Sequence, residues 1–151
     1  IYFGIITFIF FLDRITKILV VKTAQDLGKN DIYFSDYINI ELVWNKGVAF
    51  GLFSMNESTS YNLITLVIFF VILIIIFLIL KAKKFEKFSY ILILGGALGN
   101  LFDRLLYKAV PDFIDLHINN FHWFIFNIAD IFITMGVMCL IFVEIFFKKE
   151  T

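Results

Sequence analysis

The chain has one cysteine, one proline and no net charge, and charged residues make up only 17% of it. Cys139 therefore has no partner for an intrachain disulfide and no companions for a thiolate metal cage. A formal net charge of +0 leaves no electrostatic footprint for nucleic acid. What is missing most is polar surface. With 61% hydrophobic residues and a mean hydropathy of +0.92, the 151 residues do not describe a soluble globule. They describe an integral membrane protein, with room for about four spans of roughly 20 residues and little else.

The first apolar run, Ile1–Val21, is long enough to cross a bilayer at ~1.5 Å per residue. It is no signal peptide, since Asp13, Arg14 and Lys17 interrupt it and no small-residue cleavage site follows. Asp13 and Lys17 stand at i,i+4 on one helix face. They read either as an ion pair that neutralises itself for insertion or as part of a polar site inside the bundle. From Lys22 to Phe53 the texture becomes polar. Ile38, Ile40, Leu42 and Trp44 alternate as in a half-buried strand, and Asn45-Lys46-Gly47 offers a turn before Val48-Ala49-Phe50. Ser54-Met55-Asn56-Glu57 reads as a capping box opening a helix.

Tyr61–Leu80 is an uncharged run and the clearest span. Lys81, Lys83, Lys84 and Lys87 follow it and mark the cytoplasmic side by the positive-inside rule. The third span, about 88–107, carries two polar stripes. Gly95, Gly99 and Asp103 lie on one, Gly96, Asn100 and Arg104 on the next, so small residues admit partner helices and polar groups point into the bundle. After it, residues 108–126 resemble a hairpin turning at Asn119-Asn120. Asp112, Ile114, Leu116 and Ile118 share one face, with Phe113, Asp115, His117 and Asn119 on the other, so Asp115 is expected to face out among polar neighbours. Asn127 and Asp130 open a fourth span, about 127–147, ending in Lys148-Lys149. The expectation is one membrane domain over 1–151: an all-α integral membrane bundle of four transmembrane helices with a small extracytoplasmic β-sheet. Its spans are about 1–21, 61–80, 88–107 and 127–147, its loops 22–60 and 108–126 extracytoplasmic, and both termini cytoplasmic.

The charged groups within the spans, Glu144 near the inner end of the fourth excepted, fall toward the outer side, which implies a shared polar site there. No His-Glu-x-x-His occurs, and His117 and His122 lack ligand spacing on a helix, so no metal role is expected of them. Gly-x-Ser-x-Gly and Gly-x-Gly-Asp are missing too. What remains is a carboxylate pair, with Asp112 and Asp130 the candidates to share one proton and act together on a water molecule. The alternatives are that Asp130 only opens a helix with Asn127, that Asp112 is an ordinary turn acid, and that Asp103, better suited to structural hydrogen bonding, takes the second position. Asp112, on an apolar face, is the better acid; Asp130, at a helix N-terminus, the better base. Two other classes stay open at this point: a small transporter, which calls for polar residues through the full membrane thickness, and a non-catalytic chaperone or anchor.

Five segments then resemble the motifs of bacterial lipoprotein signal peptidases, the signal peptidase II family. They are Asp13-x-x-Thr16-Lys17, Asn45-x-Gly47-x-Ala49-Phe50, Gly95-Gly96-Ala97-x-Gly99-Asn100-x-x-Asp103-Arg104, Val110-x-Asp112-Phe113 and Phe126-Asn127-x-Ala129-Asp130. They run in order from the first span to the fourth. As the chain starts at an isoleucine, a short cytoplasmic segment is expected ahead of it. The resemblance implies an aspartic endopeptidase of the bacterial cytoplasmic membrane that cuts diacylglyceryl-modified prolipoproteins just before the lipidated cysteine. It implies Asp112 and Asp130 as catalytic groups. Asp13, Lys17, Asn45, Gly47, Asn100, Asp103, Arg104, Asn127 and Ala129 become supporting or substrate-contacting residues. It further implies no cofactor, a β-cradle, a short surface helix, contact with membrane lipid and blockage by globomycin-type cyclic peptides. A single bundle suggests a monomer.

Overall fold

In a computed structural model that describes residues 1–33, 35–47, 58–119 and 121–147, four long helices flank one small sheet. The helices are α1 (Tyr2–Leu27), α2 (Ser58–Lys81), α3 (Lys84–Tyr107) and α4 (Ile128–Phe147). Between them run β1 (Asp31–Tyr33), β2 (Ile38–Asn45), β3 (Val110–Ile118) and β4 (Phe121–Phe126). Val48-Ala49-Phe50, the Ser54–Glu57 capping box, Asn120 and Lys148-Lys149 lie outside the described residues. Among those described there is no separate short helix.

Three of the helices, over Tyr61–Lys81, Lys84–Tyr107 and Ile128–Phe146, are long and apolar enough to cross a membrane. Large apolar side chains such as Leu66, Phe70, Ile74 and Phe77 on α2, and Met138, Ile141 and Phe142 on α4, lie exposed on the surface. On a water-soluble protein such patches are rare; here they form a lipid-facing coat. α3 is the inner helix and touches the other three. Its glycines explain how. A Cβ on Gly95 would sit 3.0 Å from Ile9 of α1, and one on Gly96 would sit 2.4 Å from the Ala129 carbonyl of α4. The two small-residue stripes thus each seat a different neighbour, and Ile72, Ile75, Ile93, Leu94 and Leu101 pack the core between α2 and α3.

α1 ends at Gly28, whose φ of 66° is left-handed and costs glycine little; its N–H and that of Lys29 close on the Gln25 and Ala24 carbonyls. The strands then form a single antiparallel sheet in the order β1-β2-β3-β4. The hairpin expected over 108–126 is thus not a unit apart: its first strand, β3, pairs with β2, which is paired on both sides, and the edges are β1 and β4. A register shift between Ile40 and Val43 also breaks the alternation read from the sequence. Leu42 is buried, but the next buried residue is Asn45, while Trp44 turns outward and packs edge-on against Tyr107 at 5.6 Å. The bulge is what aims Asn45 inward.

Candidate active site

Two buried polar clusters share α3. In the first, the Lys17 ammonium spends its three donors on Asp13 Oδ2 (2.8 Å), Asn100 Oδ1 (2.9 Å) and Asp103 Oδ2 (2.7 Å). Arg14 Nη1 donates to the other Asp103 oxygen, and Asp13 Oδ1 accepts the Ala129 N–H at 3.0 Å. Asp13, Lys17 and Asp103 are wholly buried, and two carboxylates face two cations. Charge at this depth persists only when paired in this way. The cluster also joins α1 to the first turn of α4, where Asp13 satisfies one of the N–H groups that a helix start leaves open. Thr16, by contrast, hydrogen-bonds the carbonyls of Leu12 and Asp13 in its own helix.

The second cluster holds Asp112 and Asp130. Asn127 precedes α4 as its N-cap: its Oδ1 accepts the Asp130 N–H at 3.1 Å, while Asp130 Oδ2 accepts the Asn127 N–H at 3.2 Å. This is a reciprocal capping box with aspartate in the place usually held by glutamate or glutamine. The amide of Asn127 then donates to Asp112 Oδ1 at 2.6 Å, so one side chain bridges both carboxylates. Asn45 Nδ2 donates to Asp112 Oδ2 at 2.8 Å, and Asn100 Nδ2 to Asp130 Oδ1 at 2.8 Å.

The orientation of these three amides is fixed by chemistry. Each Asn oxygen already accepts from a group that can only donate: Gly47 N–H for Asn45 (2.8 Å), the Lys17 ammonium for Asn100 and the Asp130 N–H for Asn127. A flipped amide would set N–H against N–H. All four carboxylate oxygens therefore face donors that cannot turn away. Arg104 ties the frame together, donating to the carbonyls of Gly47 (2.8 Å) and Asn100 (3.2 Å) and receiving the Tyr61 hydroxyl on its own carbonyl at 3.1 Å.

Both aspartates line a cavity of about 400 Å³, together with Asn45, Asn100, Arg104 and Asn127. Apart from Thr134, the rest of its wall is apolar, including Ile68 of α2 and Ile133, Val137 and Met138 of α4. Burial, and next the neighbouring charge of Asp130, push the Asp112 carboxyl up to about 6, against the pull of the Asn45 and Asn127 amides. A carboxyl tuned this way can hold or release a proton near neutrality.

Asp13, Lys17, Asn45, Gly47, Asn100, Asp103, Arg104, Asp112, Asn127 and Asp130 thus gather within these two clusters, and Ala129 takes part through its backbone. One expectation fails. Asp115 does not face out but is wholly buried, covered by His117 and by His122 of β4. Face alternation along β3 places Asp115 opposite Asp112 correctly. What it leaves out is the neighbouring strand that closes over it.

A family model described as Signal peptidase (SPase) II matches residues 5–147. The chain belongs to the signal peptidase II family. It is 52% identical over 146 residues to a lipoprotein signal peptidase of Pelagibacter ubique (strain HTCC1062), covering 97% of this chain and 88% of that one. It is 41% identical to a lipoprotein signal peptidase of Anaplasma phagocytophilum (strain HZ), covering 89% and 85%. A solved bacterial membrane enzyme superposes with a TM-score of 0.79 at 27% identity, covering 99% of this chain and 94% of the other. The chain is thus a bacterial membrane protein with the fold of a known membrane enzyme.

Proposed function

We propose that this chain is an aspartic endopeptidase that removes the signal peptide of diacylglyceryl-modified prolipoproteins, cutting immediately before the lipidated cysteine with Asp112 and Asp130. The observation that carries this reading is the bridge through Asn127. It ties two buried carboxylates to one cavity and leaves no oxygen of either without a fixed donor. Two such groups cannot both ionise cheaply, so they hold one proton between them and titrate as a unit.

Asp112, whose affinity for the proton is raised, starts as the acid, and Asp130 as the base. A water between them loses its proton to Asp130 as its oxygen attacks the scissile carbonyl, whose oxygen takes the proton of Asp112. The resulting gem-diol then returns a proton to Asp112 as the C–N bond breaks, and Asp130 delivers its proton to the leaving nitrogen. No covalent intermediate forms and the carboxylates do the activation themselves, so the reaction needs no cofactor. The surrounding residues, Asp13, Lys17, Asn45, Gly47, Asn100, Asp103, Arg104, Asn127 and Ala129, hold the pair in register.

The cavity wall supports the lipidated substrate. Its apolar side is made by α2 and α4 residues, and Val137 and Met138 are also exposed on the outer surface. Acyl chains can therefore remain in the bilayer while the peptide reaches the carboxylates. A globomycin-type cyclic peptide would compete for the same cavity. α1, at 26 residues, is the fourth span despite Asp13, Arg14 and Lys17, because those charges are neutralised inside the bundle. The lysines between α2 and α3 then set both termini in the cytoplasm and the sheet outside, with one chain as the working unit.

Purified protein in detergent, given a lipidated and a non-lipidated prolipoprotein, tests this reading. Cleavage of the lipidated form alone is expected. Cleavage of neither would remove the peptidase, and equal cleavage of both would remove the lipid requirement.

A further inference from the structure

The buried Asp115 belongs to a second cluster, separate from the aspartate pair. β3 presents Asp115 and His117 on one face, two residues apart, and the β3–β4 register sets His122 directly opposite His117. The two imidazoles stack with centroids 5.1 Å apart and planes within 21°. Both point Nδ1 at the same carboxylate oxygen: Asp115 Oδ2 is 2.8 Å from His122 Nδ1 and 3.4 Å from His117 Nδ1. One ligand atom from each of the three lies within 4.8 Å of the others.

The polar accounting of this cluster does not close. His122 makes a hydrogen bond to Asp115, but His117 Nδ1 and Asp115 Oδ1 are buried without a hydrogen-bond partner among the described residues. Asp115 is fully buried, so water does not compensate it as at an exposed acid. Two aromatic nitrogens and a carboxylate converging on one point, with unspent lone pairs, are what a cation would complete.

We propose that Asp115, His117 and His122 form a binding site for a borderline divalent transition metal, Zn²⁺ foremost, that clamps β4 to β3. Two imidazoles and one carboxylate are a three-ligand set, which Zn²⁺ completes to a tetrahedron with water. Imidazole donors favour Zn²⁺, Cu²⁺ or Ni²⁺ over Mg²⁺ and Ca²⁺. The His122 side chain is 52% exposed, which gives the ion an entry path and its water a place. Asp115 stands three residues after Asp112 on β3, and β4 ends at Phe126, next to Asn127. The ion thus ties together the two strands that deliver the two ends of the carboxylate pair. The site stands on its own geometry and would hold whether or not Asp112 and Asp130 are catalytic.

The test uses the full chain in detergent, carrying an affinity tag free of histidine and stripped with chelator. Zn²⁺ is titrated by calorimetry, Mg²⁺ in parallel, and Co²⁺ is followed by the visible absorption of a tetrahedral ion. One Zn²⁺ per chain is expected, no comparable Mg²⁺ binding, and affinity lowered about tenfold or more by His117→Ala and by His122→Gln. Asp112→Asn is expected to bind Zn²⁺ as the unsubstituted protein does. His122→Gln changes a half-exposed residue, and circular dichroism verifies its fold. Absence of a saturable one-to-one site overturns the proposal. So does unchanged affinity in the histidine variants, or loss in Asp112→Asn alone, which would put the ion at the aspartate pair.

Discussion

Replacing Lys17 with methionine strikes the point on which both polar clusters depend. In the folded protein Asp13 and Asp103 are matched by Arg14 and Lys17, two charges of each sign, all buried. Methionine keeps the length and apolar stem but leaves one net negative charge in the bundle. Removing one partner of a buried ion pair costs about 3–5 kcal/mol, and unfolding in detergent should register a loss of that size. Part should return in the double variant Lys17→Met/Asp13→Asn, which restores the charge balance while the new Oδ1 can still accept the Ala129 N–H. Activity should fall as well, about tenfold or more (~1.4 kcal/mol in the barrier). Without the ammonium, the Asn100 amide can turn and Asp130 loses a fixed donor. That loss should appear in kcat more than in KM. A single variant less than about 1 kcal/mol below the parent, or a double variant no more stable than the single, would refute the charge accounting.

Gly96→Ala should destabilise the protein and slow cleavage, since its Cβ would lie 2.4 Å from the Ala129 carbonyl and displace the turn that carries Asp130; thermal unfolding and turnover check it. At Asn127 the two roles separate. Asn127→Asp keeps a good helix cap but cannot donate to Asp112, whereas Asn127→Ala loses both, so both should lose activity and only alanine should add a capping cost of about 1 kcal/mol. For Asp112, burial and the neighbouring charge of Asp130 raise the folded carboxyl from the ordinary carboxylate value of about 3.8 to about 6. The folded state therefore binds the extra proton between these values. Its contribution to stability is full below about pH 4, falls as pH rises through about 6 and is flat above, amounting to about 3 kcal/mol. The difference in stability between the parent and Asp112→Asn, followed across that window, should show this slope.

The helical half of the site was readable in one dimension, because i,i+4 spacing is local. The Gly95-Gly99-Asp103 and Gly96-Asn100-Arg104 stripes do face α1 and α4, with Asp103 meeting Lys17 and Asn100 meeting Asp130. The sheet was less legible because its partners are distant in sequence. Nothing around residue 40 announces that β2 pairs with β3 some seventy residues later, or that a bulge there turns Asn45 toward Asp112. Asp115 shows the same limit. Its alternation was readable, but its burial depends on His122 of the returning strand, which only the hairpin register brings opposite His117. A turn at Asn119-Asn120 implies that pairing, so the signal lay in the sequence, one step beyond the reading of faces.

The central claim is that Asp112 and Asp130 act as one acid–base pair, and single-site cleavage kinetics test it most directly. Asp112→Asn and Asp130→Asn, each verified as folded in detergent, are compared with the parent on a lipidated prolipoprotein near neutral pH. Loss of a general acid or base should lower turnover by about 10²–10⁴-fold in each variant, and the double variant should lose little more. Turnover within about tenfold of the parent in either one would contradict the pair.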